Sequence, residues 1–244
     1  MTLQQIYNHL DQISPFELQE KWDNSGLIIG EMDREVGDIV LSLDIDEEMI
    51  VDAAEGTLFI VHHPLIFSGL TALDFAKYPS NLLEQMILKK QACIAMHTNF
   101  DKSHLNRYVS EKVLGFKIQS QEEFVCVAKG EWKYQELLSL LREKLGLPTL
   151  KVIGKKEIIR SIALTTGSGA SLIDEIEADC FLTGDIKYHD AMKALSEDLM
   201  MVDIGHYESE CFFGEILYEE LKILGILAII TKSKNPFRME LADQ

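Results

Sequence analysis

Residues 58–64 read Leu-Phe-Ile-Val-His-His-Pro, an apolar run that ends in two histidines and a proline. A short run of this kind, rich in β-branched residues, is typical of a strand buried on both faces of a parallel sheet. The proline disfavours helical backbone at the residue before it, so the chain leaves the strand at the histidine pair in an extended or turn conformation. The stretch therefore predicts a buried strand whose carboxyl end presents two imidazoles.

Similar apolar runs recur along the chain and are separated by polar or amphipathic segments of helix length. They lie at residues 27–29, 38–43, 58–61, 92–96, 161–165, 179–183, 199–204 and 227–231. Strands that alternate with helices in this way predict an α/β protein whose central sheets are mostly parallel and covered on both sides. Two further helices are predicted near the N-terminus from capping-box patterns that begin at Thr2 and Ser14.

The apolar runs divide into two similar halves. A strand ends at Leu43 and His62 follows the next strand 19 residues later, whereas in the second half Thr165 and Gly184 show the same spacing. We therefore predict two similar, interleaved α/β domains. Their limits are residues 1–120 for the first half, 121–155 for a connecting segment and 156–244 for the second half. Because the carboxyl ends of parallel strands form the ligand crevice of an open sheet, a metal-binding cleft is expected between the halves.

The composition of the 244-residue chain argues against several partners. Lys and Arg number 23 and Asp and Glu number 40, which gives a formal net charge of −17. This charge repels nucleic-acid backbones, so no direct nucleic-acid partner is expected. The apolar stretches are too short to span a bilayer and the first residues show no leader pattern, so we expect no membrane partner and a cytoplasmic location. The four cysteines are expected to be reduced core thiols.

Three clusters of metal-binding residue types follow predicted strands. They are His62 with His63, His97 with Asp101, and His206 with Glu210. The last two pairs are four residues apart, which places both side chains on one face if the segment begins a helix. One such pair is usually a solvated helix surface, but three clusters at strand ends favour a metal site. Adjacent residues of an extended segment point in opposite directions, so the two neighbouring histidines are candidates for two different ions.

We interpret these clusters as one site for two divalent metal ions. The predicted ligands are His62, His63, Asp101, His206 and Glu210. Imidazole and carboxylate without thiolate suit zinc, iron, manganese or nickel, and Glu210 is the candidate bridge between two ions that activate water. His97 has two possible roles, as a direct ligand or as a residue that orients Asp101 or a substrate.

Residues 183–190, Thr-Gly-Asp-Ile-Lys-Tyr-His-Asp, occupy in the second half the place of the histidine pair. Gly184 permits a tight turn, and Asp185 is positioned to cap the helix that follows. Lys187 and His189 are candidates to meet an anionic substrate or to move a proton. A capped helix start with ordinary surface charge explains the same residues equally well.

Two other polar segments have simpler interpretations. Residues 22–27, Trp-Asp-Asn-Ser-Gly-Leu, predict a turn before a strand, packed by Trp22. The alternative is that Asp23 and Asn24 line the cleft. The acidic run at residues 44–48 most simply predicts the start of a helix, where carboxylates complement the helix dipole.

Together these motifs resemble the Nif-three-like family, whose members are described as type-two homologues of GTP cyclohydrolase I. The matching segments are residues 22–27, 61–64, 97–101, 184–190, 205–206 and Glu210. The resemblance spans nearly the whole chain and implies two similar α/β domains and a dinuclear metal site at the five predicted ligands. It also implies a ring-shaped homohexamer with the metal sites facing an inner cavity. Many members carry a larger insertion between the halves, where this chain has only residues 119–155.

The resemblance implies a hydrolase that acts on GTP and gives dihydroneopterin triphosphate and formate by means of a metal-activated water. His97 or His189 would then transfer protons to the opening ring, and Lys187 with backbone amides would hold the triphosphate. A second hypothesis is a dinuclear phosphoesterase or nucleotide hydrolase, because paired ions also clamp phosphoryl oxygens. A third is a non-enzymatic metal-binding interaction module, in which the ions are structural or regulatory.

Overall fold

The structure, a computed structural model, describes residues 1–238 and 240. Two sheets form its centre, and helices cover them. The strands are β1 (Gly26–Ile29), β2 (Ile39–Ser42), β3 (Leu58–Val61), β4 (Ala92–Ala95), β5 (Ile118–Glu122), β6 (Val125–Lys133), β7 (Lys151–Ile153), β8 (Ile158–Leu164), β9 (Cys180–Thr183), β10 (Met200–Asp203) and β11 (Ile229–Ile230).

Along the chain, the helices precede or separate the strands. They are α1 (Leu3–Ile13), α2 (Glu47–Asp52), α3 (Ser80–Leu88), α4 (Thr98–Phe100), α5 (Asn106–Tyr108), α6 (Tyr134–Leu145), α7 (Tyr188–Ser196), α8 (His206–Glu210) and α9 (Phe213–Ile223). Short 3-10 helices span Phe16–Leu18 and Ala170–Glu175. A π-helical turn at Asp101–Leu105 joins α4 to α5, and a second at Val109–Val113 follows α5 and extends the same helical segment.

Each sheet contains a set of adjacent parallel strands, four in the first sheet and three in the second. The first sheet has the order β1-β4-β3-β2-β11, in which only β1 runs antiparallel to its neighbour. The second has the order β5-β6-β8-β9-β10-β7, in which β8, β9 and β10 are parallel and the outer pairings are antiparallel. The predicted α/β fold with two mostly parallel central sheets is confirmed.

Strand β3 lies in the middle of the first sheet, with β4 on one side and β2 on the other. All of its residues are buried, as are all residues of both neighbours. Burial on both faces leaves no polar side of the strand, which explains why the sequence reads as an uninterrupted apolar run. Since these three strands are parallel, the segments that follow them emerge at one edge of the sheet.

The last strand connects the two parts of the chain. Strand β11 pairs in parallel with β2 of the first sheet, with Ile229 opposite Val40, although the sequence groups it with the second half. Helix α9 approaches this pair closely, because a Cβ added at Gly214 would lie 3.1 Å from Cγ2 of Ile230. Residues 121–155, predicted as a connecting segment, contribute β6, α6 and β7 to the second sheet's side of the protein. The domain limits along the chain stay a prediction.

The two helix starts predicted near the N-terminus have different outcomes. The capping box at Thr2 is confirmed, because its side chain accepts a hydrogen bond from the Gln5 backbone and Gln5 reciprocates. The helix predicted from Ser14 is wrong, since only one 3-10 turn at Phe16–Leu18 follows it. The hydroxyl oxygen of Ser14 instead accepts a hydrogen bond from the Asn99 amide at 3.1 Å, which joins the end of α1 to the α4 region.

The cysteines agree with the sequence prediction: all four are free thiols, and Cys93, Cys126 and Cys180 are buried. As to membrane spans, every helix within the described residues is too short or too polar to cross a bilayer.

Replacing Ile60, in the middle of β3, by Ala is expected to lower the free energy of unfolding by about 2–5 kcal/mol. The side chain is fully buried, so truncation removes apolar contacts and leaves a cavity. Ile87 on α3 is 55% exposed, and Ile87→Ala makes the same chemical change at the surface, where about 0.5 kcal/mol or less is expected. Urea denaturation followed by circular dichroism measures both losses. Equal losses would contradict the central position of β3.

Candidate metal centre

Four histidines and two carboxylates from the two parts of the chain converge on one centre. They are His62, His63, His97, Asp101, His206 and Glu210. The first two follow β3, the next two follow β4, and the last two lie on α8 directly after β10. The fold therefore places all five predicted ligands and His97 in one cluster. His63 and Glu210, whose side chains are in contact, are 147 residues apart in the sequence.

Glu210 is the buried middle of this cluster and is only 3% exposed. Its Oε2 lies 3.0 Å from Nε2 of His63 and 3.0 Å from Nε2 of His206. Its Oε1 lies 3.8 Å from Nε2 of His62, which in turn is 3.4 Å from Oδ1 of Asp101. The two oxygens of one carboxylate therefore face two different sets of ligand atoms.

The four imidazoles of the cluster are oriented in the same way, because each Nδ1 lies at hydrogen-bond distance from an oxygen. The partners are Asp44 for His63, Asp23 for His97 and Asp185 for His206, each at 2.7 Å, and the Met96 carbonyl for His62 at 2.9 Å. These oxygens accept a hydrogen bond from Nδ1, so Nε2 is the ring nitrogen that is left to bind an ion once it carries no proton. Metal-binding histidines in proteins are oriented by partners of this kind.

Two buried polar atoms in the cluster lack hydrogen-bond partners among the described residues. They are Nε2 of His62 and Oδ1 of Asp101. An unpaired buried polar atom costs free energy, and such atoms are rare in native proteins unless a water or an ion completes them. The donor set of imidazole nitrogens and carboxylate oxygens suits divalent zinc, iron, manganese or nickel. The residues present therefore fit a metal site.

The candidate ligand atoms form three overlapping groups, within each of which the atoms lie within 4.8 Å of one another. Glu210 belongs to two of them, one with His63 and His206 and the other with His62 and Asp101. The third group joins His97 to the adjacent histidine pair. A carboxylate that is common to two ligand groups has the position of a bridging ligand.

The charges of the cluster bind protons strongly to its imidazoles. Burial by itself lowers the pKa of His62, but the charges of Asp101 and Glu210 raise it well above its ordinary value. The hydrogen bond with Glu210 raises the pKa of His206 to about 9. Burial raises the pKa of Glu210, but its hydrogen bonds with His206 and His63 and the charge of His62 lower it well below the usual range. Since a ligating imidazole must be neutral, protons and metal ions compete for this site.

The sequence named Asp23 as a residue that could line the cleft, but it did not assign the orientation of an imidazole to any carboxylate. The predicted helix cap at Asp185 is wrong, because α7 has Lys187 as its N-cap and Asp185 binds His206 instead.

The acidic run at residues 44–48 was interpreted as a helix start, and Asp46 is indeed the N-cap of α2, where it accepts from Met49 at 2.8 Å. Asp44 has a different role, at Nδ1 of His63. The sequence does hold a spacing signal: Asp44 precedes His63 by 19 residues, and Asp185 precedes His206 by 21.

The turn at residues 22–27 differs from its predicted packing. Trp22 is 59% exposed and lies at the mouth of a cavity, so it does not pack the turn. Asp23 is the buried member, and it accepts hydrogen bonds from the Ser25 hydroxyl and the Thr98 backbone, each at 3.1 Å, besides holding His97. Although burial raises the pKa of Asp23, the hydrogen bond with His97 lowers it below its ordinary range. The turn is thus built to hold His97.

A cavity of about 700 Å³ opens onto the cluster, a size typical of small-molecule sites. His63, His97, Asp101, His206 and Glu210 are part of its wall. Lys187 and His189, the other predicted substrate-facing residues, are exposed and do not line this cavity. The catalytic role of His189 stays a prediction.

The fold and the centre define a class: an α/β protein of two sheets whose strand ends build a site fitted for divalent metal. More specifically, the chain belongs to the Duf34/NIF3 (NGG1p interacting factor 3) family, whose model matches residues 1–236. The family resemblance inferred from the sequence motifs is confirmed.

Relatives match this chain over nearly its whole length. A Campylobacter jejuni protein named GTP cyclohydrolase 1 type 2 homolog is 49% identical over 240 residues, which cover 98% of this chain and 99% of the relative. A Helicobacter pylori (strain J99) protein named GTP cyclohydrolase 1 type 2 is 38% identical and covers 97% and 98%. A hypothetical Staphylococcus aureus protein of solved structure has a TM-score of 0.86 at 27% identity, with 98% and 99% covered. The names of the Campylobacter and Helicobacter relatives suggest an enzyme.

Replacing Glu210 by Gln is expected to lower the affinity for zinc by about 100-fold or more. Loss of a residue that only orients a ligand costs about 10–100-fold, and Glu210 is placed in direct contact with both ligand groups. Glu208→Gln is the matched control, because Glu208 lies on the same helix but binds Asn235 at 2.8 Å. Isothermal titration calorimetry and elemental analysis measure affinity and metal content. Equal binding by the two variants would contradict the site.

Metal binding is expected to release protons and to strengthen as the pH rises towards 9. His206, with its pKa raised to about 9 by Glu210, is protonated at neutral pH and must lose its proton before Nε2 can bind an ion. Below its pKa the proton competes with the metal, and above it this competition ends. Calorimetric titrations with zinc in buffers of different ionisation enthalpy measure the protons released. A pH-independent affinity without proton release would contradict this assignment.

Proposed function

We propose that the protein is a dinuclear-metal-dependent hydrolase that opens the guanine ring of GTP and gives dihydroneopterin triphosphate and formate. The observation that carries the metal part is the position of Glu210, whose Oε2 faces His63 and His206 while its Oε1 faces the group of His62 and Asp101. Such a shared carboxylate supports two ions. The substrate is supported by the names of the Campylobacter and Helicobacter relatives.

When bound, a pair of divalent cations supplies an activated water and polarises the bond to be broken. The protein's own groups then have defined tasks. The five predicted ligand side chains would hold the ions, and Asp44 and Asp185 fix the rings of His63 and His206. His97 borders the cavity and donates from Nδ1 to Asp23, so its Nε2 is placed to accept and return a proton.

A catalytic role explains the open cavity better than a structural one. Structural metal sites are closed by protein ligands, whereas catalytic sites keep a position for water or substrate. Five of the six clustered side chains line a cavity that is open to small molecules. This accessibility favours an enzyme over an interaction module whose ions only stabilise the fold.

The assembly and the compartment stay predictions. A ring-shaped homohexamer would bury apolar side chains that are exposed in the single chain. Ile223 and Leu227 are 78% and 82% exposed, and they lie at and beyond the end of α9. They support contact with another copy of the chain. A cytoplasmic location is proposed on the basis of the sequence expectation alone.

The test is an assay with GTP after reconstitution with zinc, iron, manganese or nickel in separate samples. We expect formate and a fluorescent pterin with at least one metal. Glu210→Gln is expected to lose about 100-fold or more of the activity, because it loses metal. Glu208→Gln on the same helix is expected to keep it. Formate is measured enzymatically, and the pterin by fluorescence after chromatography.

The products also distinguish the second hypothesis. Release of phosphate or pyrophosphate without formate would contradict ring opening and support a dinuclear phosphoesterase. The absence of any turnover, with two metal ions per chain shown by elemental analysis, would contradict both enzyme hypotheses. Unfolding of the chain on metal removal would instead support a structural role for the ions.

A further inference from the structure

Two large aromatic side chains stand at the mouth of the metal cavity. Trp22 and Phe67 both line the cavity, although they are 59% and 50% exposed. Their ring centroids are 5.9 Å apart, with the planes inclined at 43°. Neither belongs to the candidate ligand groups, and their apolar surface faces solvent beside a polar centre. An exposed apolar surface next to a cleft is typical of a ligand-binding surface.

The positions of both rings are fixed relative to the centre. Each ring contacts the imidazole of His97 in an edge-on arrangement. The ring centroids are 6.3 Å apart for Trp22 and 6.0 Å apart for Phe67. The loops that carry them are joined directly, since the Asn24 amide donates to the Ile66 carbonyl at 2.6 Å. The residue between Trp22 and Asn24 is the aspartate that holds His97. The aromatic pair and the metal-site histidine therefore form one connected unit.

The charge of the cavity wall favours a ring over a phosphate chain. Four carboxylates line the wall beyond the metal ligands. They are Glu20, Glu122, Glu123 and Glu175. Within the described residues, no Lys or Arg lines this cavity. The ammonium of Lys102 lies beside the wall, but it is paired with Glu20 at 2.8 Å and with Glu123 at 2.6 Å. A polyphosphate thus meets no unpaired lysine or arginine side chain on this wall, within the part of the chain that the structure describes.

Neutral hydrogen-bonding groups complete the wall. The hydroxyl-bearing residues Thr165, Thr166, Ser168 and Ser171 line the cavity together with the carboxylates. Carboxylates and hydroxyls accept hydrogen bonds from ring N–H and amino groups. Aromatic side chains stack on any nucleobase, because every base has a flat π-face. The wall therefore matches an uncharged planar ring that carries N–H donors on its edge.

We propose that Trp22 and Phe67 form a stacking platform that binds the planar, uncharged heteroaromatic ring of the substrate, and that the chain recognises this ring and not a phosphate group. For the identity of the ring, guanine, the proposal rests on the proposed function. It adds that a nucleoside without phosphates is bound by the side chains of the cavity, and that any contribution of phosphates comes from bound ions.

The first experiment uses Trp22 as its own reporter. The chain has two tryptophans, Trp22 and Trp132, so Trp132→Phe leaves Trp22 as the one tryptophan whose emission is followed. Guanosine is expected to quench this emission saturably in protein treated with EDTA and in zinc-loaded protein. Inorganic tripolyphosphate, the phosphate-only probe, is expected neither to quench nor to displace guanosine from the EDTA-treated protein. Displacement by tripolyphosphate, or no binding of guanosine, would overturn the proposal.

The second experiment compares matched phenylalanines by calorimetric titration of otherwise unchanged protein with guanosine. Phe67→Ala is expected to weaken binding by roughly tenfold, which is within the range for loss of one base-stacking side chain. Phe75→Ala is the control, because Phe75 is exposed on the same loop and lies outside the cavity wall. Phe67→Leu keeps the apolar bulk without the ring, and is expected to weaken binding to an intermediate degree. Equal affinities in the Phe67 and Phe75 variants would refute the platform.

The results separate this proposal from the proposed function. Zinc content is expected to be equal in wild type and in both phenylalanine variants, because neither side chain is a candidate ligand. Guanosine binding that depends on Phe67 but is accompanied by no formate from GTP would support the platform and contradict the cyclohydrolase. Formate release with an unchanged KM in Phe67→Ala would support the cyclohydrolase and contradict the platform.

Discussion

The buried carboxylate of Glu210 is the constraint on which the arrangement of the centre depends. A carboxylate removed from water is costly unless positive charge or donors surround it. In this protein three imidazoles approach its two oxygens, and they come from the end of β3 and from the start of α8. Both sheets must therefore present their strand ends to the same place. Asp101, the other carboxylate of the cluster, is buried as well. The centre therefore contains two buried negative charges and is short of positive charge.

A second layer of oxygens makes this centre rigid. The acceptors at the four Nδ1 atoms come from separate parts of the chain: the turn before β1, the ends of β2 and β4, and the loop after β9. Each imidazole is thus fixed by a segment of the chain that is distant in sequence from the histidine itself. Such fixing lowers the entropy lost when an ion binds and selects the tautomer that ligates. The floor of the cavity is therefore set by the fold before any small molecule enters.

The sequence allowed prediction of those features that a local pattern determines. The run at residues 58–61 reads as a strand because burial on both faces excludes polar residues, and His62 and His63 stand at its end for the same reason. Pairing partners are not local, so the return of β11 to the first sheet and the antiparallel position of β6 were not visible. Asp44 was missed because an acidic residue near a helix start already has a sufficient local explanation.

The case of Trp22 is different in kind. Turn-forming residues at positions 23–26 predict a turn before β1, and the structure has that turn slightly earlier, at residues 21–22. Backbone propensity does not determine which side of the turn the indole occupies. That choice is made by Asp23, which turns inward to meet His97 and leaves the neighbouring side chain outside. The direction of a single exposed ring is thus a tertiary property, and it required coordinates.

The return of β11 to the first sheet has a consequence for biosynthesis. A ribosome releases the N-terminal residues first, so the β3 histidines emerge long before α8, and α8 emerges before the strand that completes the sheet. Until α8 emerges, a nascent chain therefore carries three of the five candidate ligands, His62, His63 and Asp101, beside an unfinished sheet edge. Closure of that edge and completion of the ligand set depend on two segments that lie near each other along the chain, β11 and α8. Ions can consequently meet the finished geometry only after both of these segments have left the ribosome.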